Sequence, residues 1–168
     1  MRNIIAVSVF GLALAMFAGA QAPASSSTRE QMRQDRQSQI EARKAELQTR
    51  MATIRDERKR QAVERIYTAT NALNERMTGH FTNVLDQIDK VLDRVESRVS
   101  KAEENGLDVS TVTPEITNAQ SAIVAARAAV ATQAAKVYAV QTTGNEATLR
   151  SEVGTTRQAL HHDLTVVR

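Results

Sequence analysis

Three clusters of ionisable residues are the places where this sequence could do chemistry. The first is His161-His162-Asp163, with Glu152 and His80 as further donors elsewhere in the chain. Imidazole and carboxylate groups bind Zn²⁺, but adjacent residues on a helix point about 100° apart, whereas helical metal ligands usually recur at i and i+4. The spacing therefore favours two solvated histidines beside a helix seam, and we predict no metal site and no cofactor.

The second cluster is acidic and lies on a single predicted helix. Its carboxylates are Asp86, Asp89, Asp93 and Glu96. The basic residues that alternate with them are Lys90, Arg94 and Arg98. Alternating signs along one helix are typical of a solvent-exposed face. We therefore interpret this cluster as a solvated surface.

The third cluster is basic and consists of Arg55, Arg58, Lys59 and Arg60. Such a cluster could meet anionic lipid headgroups, cell-wall polymers or nucleic acid by counterion release. Two acidic residues at 56 and 57 interrupt it, and the segment has no aromatic side chain on which a base could stack. The pattern predicts a weak contact with an anionic surface and no nucleic-acid binding, and its alternative is a solvated coiled-coil face.

The sequence lacks the motifs of the common enzyme classes. It has no cysteine, no G-x-S-x-G turn and no glycine-rich loop that could cradle a phosphate. Aromatic residues make up only 3% of the chain, which argues against a roomy ligand cavity. We therefore predict that the protein is not an enzyme and has no small-molecule substrate.

The N-terminus has the organisation of a secretory signal peptide over residues 1–20. Arg2 precedes an apolar run from Ile4 to Ala18, and small residues lead to an expected cleavage site after Ala20. A retained membrane anchor is the alternative, but the run is shorter than the roughly 20 residues of a membrane span. The sequence thus predicts an exported protein, periplasmic or extracellular, that begins with a flexible lead over residues 21–28.

Residues 29–79 are predicted to form a basic helical arm, which continues without interruption into one helix up to residue 104. Residues 28 to 61 contain ten basic and six acidic side chains. Ile40, Leu47 and Ile54 recur every seven residues and form a narrow apolar seam. Because the arm offers little to pack against, this seam predicts contact with a partner helix or with a second copy.

Residues 80–168 are predicted to form an antiparallel three-helix, coiled-coil-like bundle, so the fold class is all-α. A stripe with steps of three and four includes Val84, Ile88, Val91 and Val95, and Leu85 and Leu92 widen it. Residues 104–107 predict a glycine C-cap, and Pro114 fits the first turn of an alanine-rich second helix. Thr143 and Glu146 have the spacing of a capping box for the last helix.

Several segments resemble an uncharacterised family of exported helical proteins predicted in small-genome uncultured bacteria. The similar segments are 54–66, His80-Phe81 with 84–94, 147–150 and 157–164, and the resemblance covers roughly residues 41 to 168. It implies a signal peptide and a helical body, and it brings no activity, cofactor or partner. Members of this family often continue beyond Arg168, so a natural end and a truncated reading frame both remain open.

Two functional hypotheses follow from these features. The first is a structural or interaction protein that presents its arm to partner helices, including those of a second copy, or to the cell envelope. The second is a periplasmic chaperone-like module that holds unfolded clients on the apolar face of a basic helical hairpin.

Overall fold

The computed structural model describes residues 26–167, which form four α-helices and no strand. The helices are α1 (Ser26–Met51), α2 (Glu57–Glu104), α3 (Val112–Ala135) and α4 (Leu149–Val167). The all-α prediction is confirmed. The predicted signal peptide and most of the predicted lead lie outside the described residues, and α1 already includes residues 26–28 of that lead.

The predicted continuous helix over residues 29–104 is wrong, because the chain turns at residues 52–56. The Asp56 carboxylate accepts hydrogen bonds from the backbone N–H groups of Arg58 and Lys59, at 2.9 and 3.3 Å, and so caps the start of α2. Ile54 is completely buried at this turn. Burial of Ile54 and capping by Asp56 both favour a turn over continued helix, although neither glycine nor proline marks it.

The basic arm does not project, because α1 folds back along the first half of α2. The Tyr67 hydroxyl donates to the Ile40 carbonyl oxygen at 2.8 Å, and Gln48 donates to Glu64 at 3.2 Å. These contacts pair later residues of α1 with earlier residues of α2, so the two helices are antiparallel. From Asn74 onward, α2 pairs in the same way with α3, since Gln120 donates to Glu96 and Gln133 donates to Asn74.

One apolar core lies at the α1 end of the molecule. Its residues come from α1, the turn, the first half of α2, the non-helical segment 136–148 and α4. The cluster consists of Leu47, Met51, Ile54, Val63, Tyr67, Val140, Leu149 and Val153. Elsewhere, α2 has no buried residue between 79 and 104, so its second half pairs with α3 outside this core.

The turn between α2 and α3 is the glycine-terminated C-cap that the sequence predicts. Gly106 has φ +79°, its N–H donates to the Glu103 carbonyl, and the Leu107 N–H donates to the Ala102 carbonyl. This pair of bonds is the Schellman motif, which satisfies the last carbonyl groups of a helix. Residues 80–135 therefore form a two-helix hairpin, which we call the hairpin below.

The predicted antiparallel three-helix bundle of residues 80–168 is not confirmed. Glu146, just before α4, binds the Lys59 ammonium at 2.7 Å, whereas Asp163, near the end of α4, binds Tyr138, which is bonded to Asn71. The helix α4 therefore runs in the same direction as the first half of α2. The predicted capping box is wrong as well, because Thr143 bonds Glu152 instead of residue 146 and α4 begins only at Leu149. Among residues 26–167, none of the helices is both long and apolar enough to cross a membrane.

Candidate interaction surfaces

The seam residues Ile40, Leu47 and Ile54 form part of the protein's own core. Leu47 and Ile54 are buried, and the partly buried Ile40 packs against the same cluster. The expectation that the chain could not cover this seam is therefore wrong. Its partners are the first half of α2 and the segment before α4, which heptad spacing in the arm alone does not reveal.

Two members of the basic cluster bind acidic residues of the same chain. The Lys59 ammonium lies 2.7 Å from Glu146 and 3.9 Å from Asp56. The hydrogen bond between Lys59 and Glu146 raises the pKa of Lys59 and lowers the pKa of Glu146. Arg60 pairs with Glu57 and donates to the Ile54 carbonyl at 2.8 Å. These contacts hold the turn between α1 and α2 and neutralise half of the cluster.

Arg55 and Arg58 are the other members of the basic cluster. Both are exposed, and within residues 26–167 neither side chain has an acidic partner. Two exposed guanidinium groups can meet an anionic surface only weakly at physiological salt, because screening acts over about 8 Å. The cluster therefore contributes more to the turn than to an extended basic surface.

Within the His161-His162-Asp163 cluster, Asp163 holds α4 against the segment after α3. The Asp163 carboxylate accepts from the Lys136 ammonium at 2.9 Å and from the Tyr138 hydroxyl at 2.6 Å. These hydrogen bonds lower the pKa of Asp163. Both histidines are exposed, and residues 26–167 contain no group of three side chains that could hold a metal ion.

A cleft of about 450 Å³ lies between the segment after α3 and α4. Its lining includes the ionisable residues Arg43, Tyr138 and Glu152. The Glu152 Oε1 atom accepts from the hydroxyl groups of Thr143 and Thr148. Burial acts to raise the pKa of Glu152, but the hydrogen bonds from threonines outweigh it, so the pKa lies below its usual value. The carboxylate thus fastens the loop before α4 to the start of that helix.

The hairpin exposes an apolar stripe made of Val84, Ile88, Val91 and Val95. These side chains are between 38% and 57% exposed. Their 4-3-4 spacing places them on one side of α2, as in a coiled-coil seam. The sequence predicts this stripe correctly as a continuous apolar face, but the expectation that the chain buries it is wrong.

Polar pairs occupy the other side of the hairpin. Arg127 of α3 bridges Asp86 and Asp89 of α2. Val84 and Asp86 stand on either side of the half-buried Leu85, so helical geometry directs them to opposite sides of the contact with α3. The exposed Val124 lies three residues before Arg127, on the polar side. The apolar stripe is therefore a separate surface.

The width of the stripe in the sequence is the signal that could have identified this surface. Leu85 and Leu92 are half-buried, whereas the four stripe residues beside them are exposed. One partner helix covers a narrow seam, and a wider apolar face needs a second partner.

Comparisons of the chain with protein-family models, with curated proteins and with solved structures give no match.

Proposed function

We propose that the protein is an exported, non-enzymatic helical protein that acts through protein contacts made by the apolar stripe of the hairpin. The observation that carries this proposal is the exposure of four β-branched side chains on one side of the long helix α2. Exposed apolar patches with a polar surround often mark protein interaction sites. A helix face with this spacing suits the groove or the helix of another protein.

The remaining features support a role for the rest of the molecule as a scaffold. The core of α1, α2 and α4 fixes one end of α2, and the hairpin extends beyond that core. The cleft carboxylate Glu152 and the Asp163 cluster are both engaged in contacts that hold the chain together. Their geometry supports structural roles for these ionisable groups.

A capture experiment with matched variants tests the proposed function. The chain from Gln21 is immobilised and exposed to an envelope extract of its native cells, beside Ile88→Lys/Val91→Lys and the control Val124→Lys. We expect the native chain and the control to retain the same proteins, including added soluble chain, and the stripe variant to lose them. Equal capture by all three forms would contradict the proposal.

Export is tested separately by expressing residues 1–168 in a bacterial host with a periplasm. We expect a periplasmic product whose mass corresponds to a chain that begins at Gln21. A full-length product in the cytoplasm would contradict export, and a full-length product in the membrane would support the retained anchor.

A further inference from the structure

We propose that the apolar stripe is covered by a second copy of this chain, packed antiparallel against the first. This inference rests on the proposed function, and it names the partner and the orientation. Its three arguments are the symmetry of the stripe, the distribution of charge between the hairpin and the rest of the chain, and the position of the hairpin outside the core.

The stripe is symmetric about its own midpoint. The midpoint lies between residues 89 and 90. Val84 lies as far before it as Val95 lies after it, and Ile88 lies as far before it as Val91 lies after it. A two-fold axis through this point, perpendicular to α2, therefore places Ile88 of one copy opposite Val91 of the other, and Val84 opposite Val95. An isologous dimer requires such self-complementarity, because the same patch serves both copies.

All four residues have apolar side chains, and all are β-branched. Valine and isoleucine have few χ1 rotamers, so they lose little side-chain entropy when they pack. Coiled-coil seams use such residues at alternate steps of three and four. The stripe thus has both the composition and the spacing of a helix-packing seam.

Charge determines the preferred orientation. The hairpin, residues 80 to 135, contains five basic and eight acidic residues. Residues 26 to 79 contain twelve basic and eight acidic residues, and residues 136 to 167 contain three of each. An acidic hairpin therefore extends from a basic core region. A parallel dimer would place the acidic tips of the two hairpins, with Glu103, Glu104 and Asp108, side by side, whereas an antiparallel dimer places each tip at the border of the basic region of the other copy.

The length of the hairpin fits this arrangement. About 14 residues separate the stripe midpoint from the end of α2, which is roughly 20 Å of helix. The tip of each hairpin would then lie level with residues 74–76 of the other copy, about two turns from Tyr67, the nearest α2 member of the apolar cluster. A hairpin about two turns longer would run into that cluster.

Sedimentation equilibrium of the purified chain from Gln21 tests the dimer, because this form retains all the contacts described above. Over roughly 5 to 500 µM, we expect the mass to rise from that of a monomer to twice that value, with weak association typical of a small interface. Ile88→Lys/Val91→Lys should stay monomeric with an unchanged helical circular dichroism spectrum, while Val124→Lys should dimerise like the native chain. A monomer throughout, or equal dimerisation of both variants, would overturn the proposal.

Cysteine cross-linking tests the orientation, and the absence of native cysteines makes the result unambiguous. We expect a mixture of Val84→Cys and Val95→Cys chains to form a mixed disulfide about tenfold faster than either variant forms a disulfide with itself. Preferential Val84–Val84 cross-linking would indicate a parallel dimer and would overturn the antiparallel arrangement. If these substitutions disturb folding, Ile88→Cys mixed with Val91→Cys provides the same comparison nearer the axis.

The failure of this inference is distinguishable from the failure of the proposed function. A monomeric chain that still captures a different envelope protein through the stripe would overturn the dimer and leave the proposed function in place. A monomeric chain that suppresses aggregation of an unfolded model protein, and loses this activity in Ile88→Lys/Val91→Lys, would overturn the dimer and support the chaperone-like alternative. A monomer with no stripe-dependent binding would overturn both proposals.

Discussion

The side chain of Asn71 and the backbone of Tyr138 form hydrogen bonds in both directions. The Asn71 Nδ2 atom donates to the Tyr138 carbonyl at 3.2 Å, and the Tyr138 N–H donates to the Asn71 Oδ1 atom at 3.0 Å. Asn71 thus satisfies an extended peptide unit that has no strand beside it. Asn74, one turn later, donates to the Gln133 and Lys136 carbonyls at the end of α3. These two amides connect the hairpin to the core.

Replacement of Asn71 by alanine should therefore destabilise the protein strongly. Asn71 and Tyr138 are both buried. The variant therefore leaves the backbone N–H and C=O groups of Tyr138 without the Asn71 amide as their hydrogen-bond partner. An unsatisfied buried polar group costs about 1 to 3 kcal/mol, and we expect Asn71→Ala to lower the free energy of unfolding by at least about 2 kcal/mol. Urea unfolding followed by circular dichroism at 222 nm measures this change.

The matched control is Asn83→Ala, an exposed asparagine on the same helix. It should change the free energy of unfolding by less than about 0.5 kcal/mol. A loss equal to that of Asn71→Ala would show that loss of any asparagine amide from α2 is destabilising, so the bond to Tyr138 would not explain the effect.

The position of Asn71 illustrates what the sequence could and could not predict. Leu73 and Met77 extend the steps of three and four toward the start of α2, which predicts that they are buried. Both are only half-buried, whereas Asn74 and Thr78 are buried. The neighbour at this level is the non-helical segment after α3, whose peptide groups need hydrogen-bond partners. A pattern based on apolar residues detects packing against apolar side chains and misses packing against backbone.

Local signals with a specific backbone geometry were predicted better than long-range packing. Gly106 and the residues around it gave the correct end of α2, because a Schellman turn depends on only a few neighbouring residues. The turn at 52–56 was missed, because Asp56 caps α2 in a run of strong helix formers. Ile54 is buried partly by Val140 and Leu149, which lie about 90 positions later in the chain. The spacing of apolar residues within the arm contains no information about these partners.

Ile54→Ala tests whether α1 packs into the core. Ile54 is fully buried, so the truncation removes packed methylene and methyl groups and leaves a cavity. We expect a loss of about 2 to 5 kcal/mol in the free energy of unfolding, measured by urea titration. Met32→Ala, at an exposed position of α1, should change it by less than about 0.5 kcal/mol. If both variants changed the free energy of unfolding by the same small amount, Ile54 would not be buried, as expected for an arm that projects from the core.

Gly144→Ala should be more destabilising than Gly106→Ala, although both glycines have φ near +78°. A left-handed alanine costs about 1 to 2 kcal/mol at either site. At Gly106 the added methyl group would meet open space, whereas at Gly144 it would lie 2.9 Å from the Arg50 carbonyl oxygen and 2.5 Å from the Thr53 hydroxyl. The backbone carbonyl cannot move without disturbing the end of α1.

We therefore expect Gly144→Ala to lower the thermal midpoint further than Gly106→Ala, with an extra cost of at least about 1 kcal/mol. Differential scanning calorimetry of the two variants gives this difference directly. Equal midpoints would mean that the loop before α4 does not rest against the turn after α1.

The bond between Tyr138 and Asp163 predicts a loss of stability at both extremes of pH. Lys136 and Tyr138 lower the pKa of Asp163 below 3.8, so this carboxylate stabilises the fold above about pH 4 and loses that contribution as the pH falls through its folded value. Burial and the Asp163 carboxylate raise the pKa of Tyr138 to about 12. Its contribution is therefore complete below pH 10 and disappears between pH 10 and 12.

Urea midpoints measured from pH 2 to 12 check both limbs of this profile. Asp163→Asn should flatten the acid limb relative to the native chain, and Tyr138→Phe should flatten the alkaline limb. Asp93→Asn, an exposed aspartate outside this network, is the control and should leave both limbs unchanged. Ultraviolet titration adds an independent measurement, because Tyr67 is the only tyrosine left in Tyr138→Phe. The variant should therefore lose a phenol that ionises near pH 12, and loss of one that ionises near pH 10 would contradict burial of Tyr138 beside Asp163.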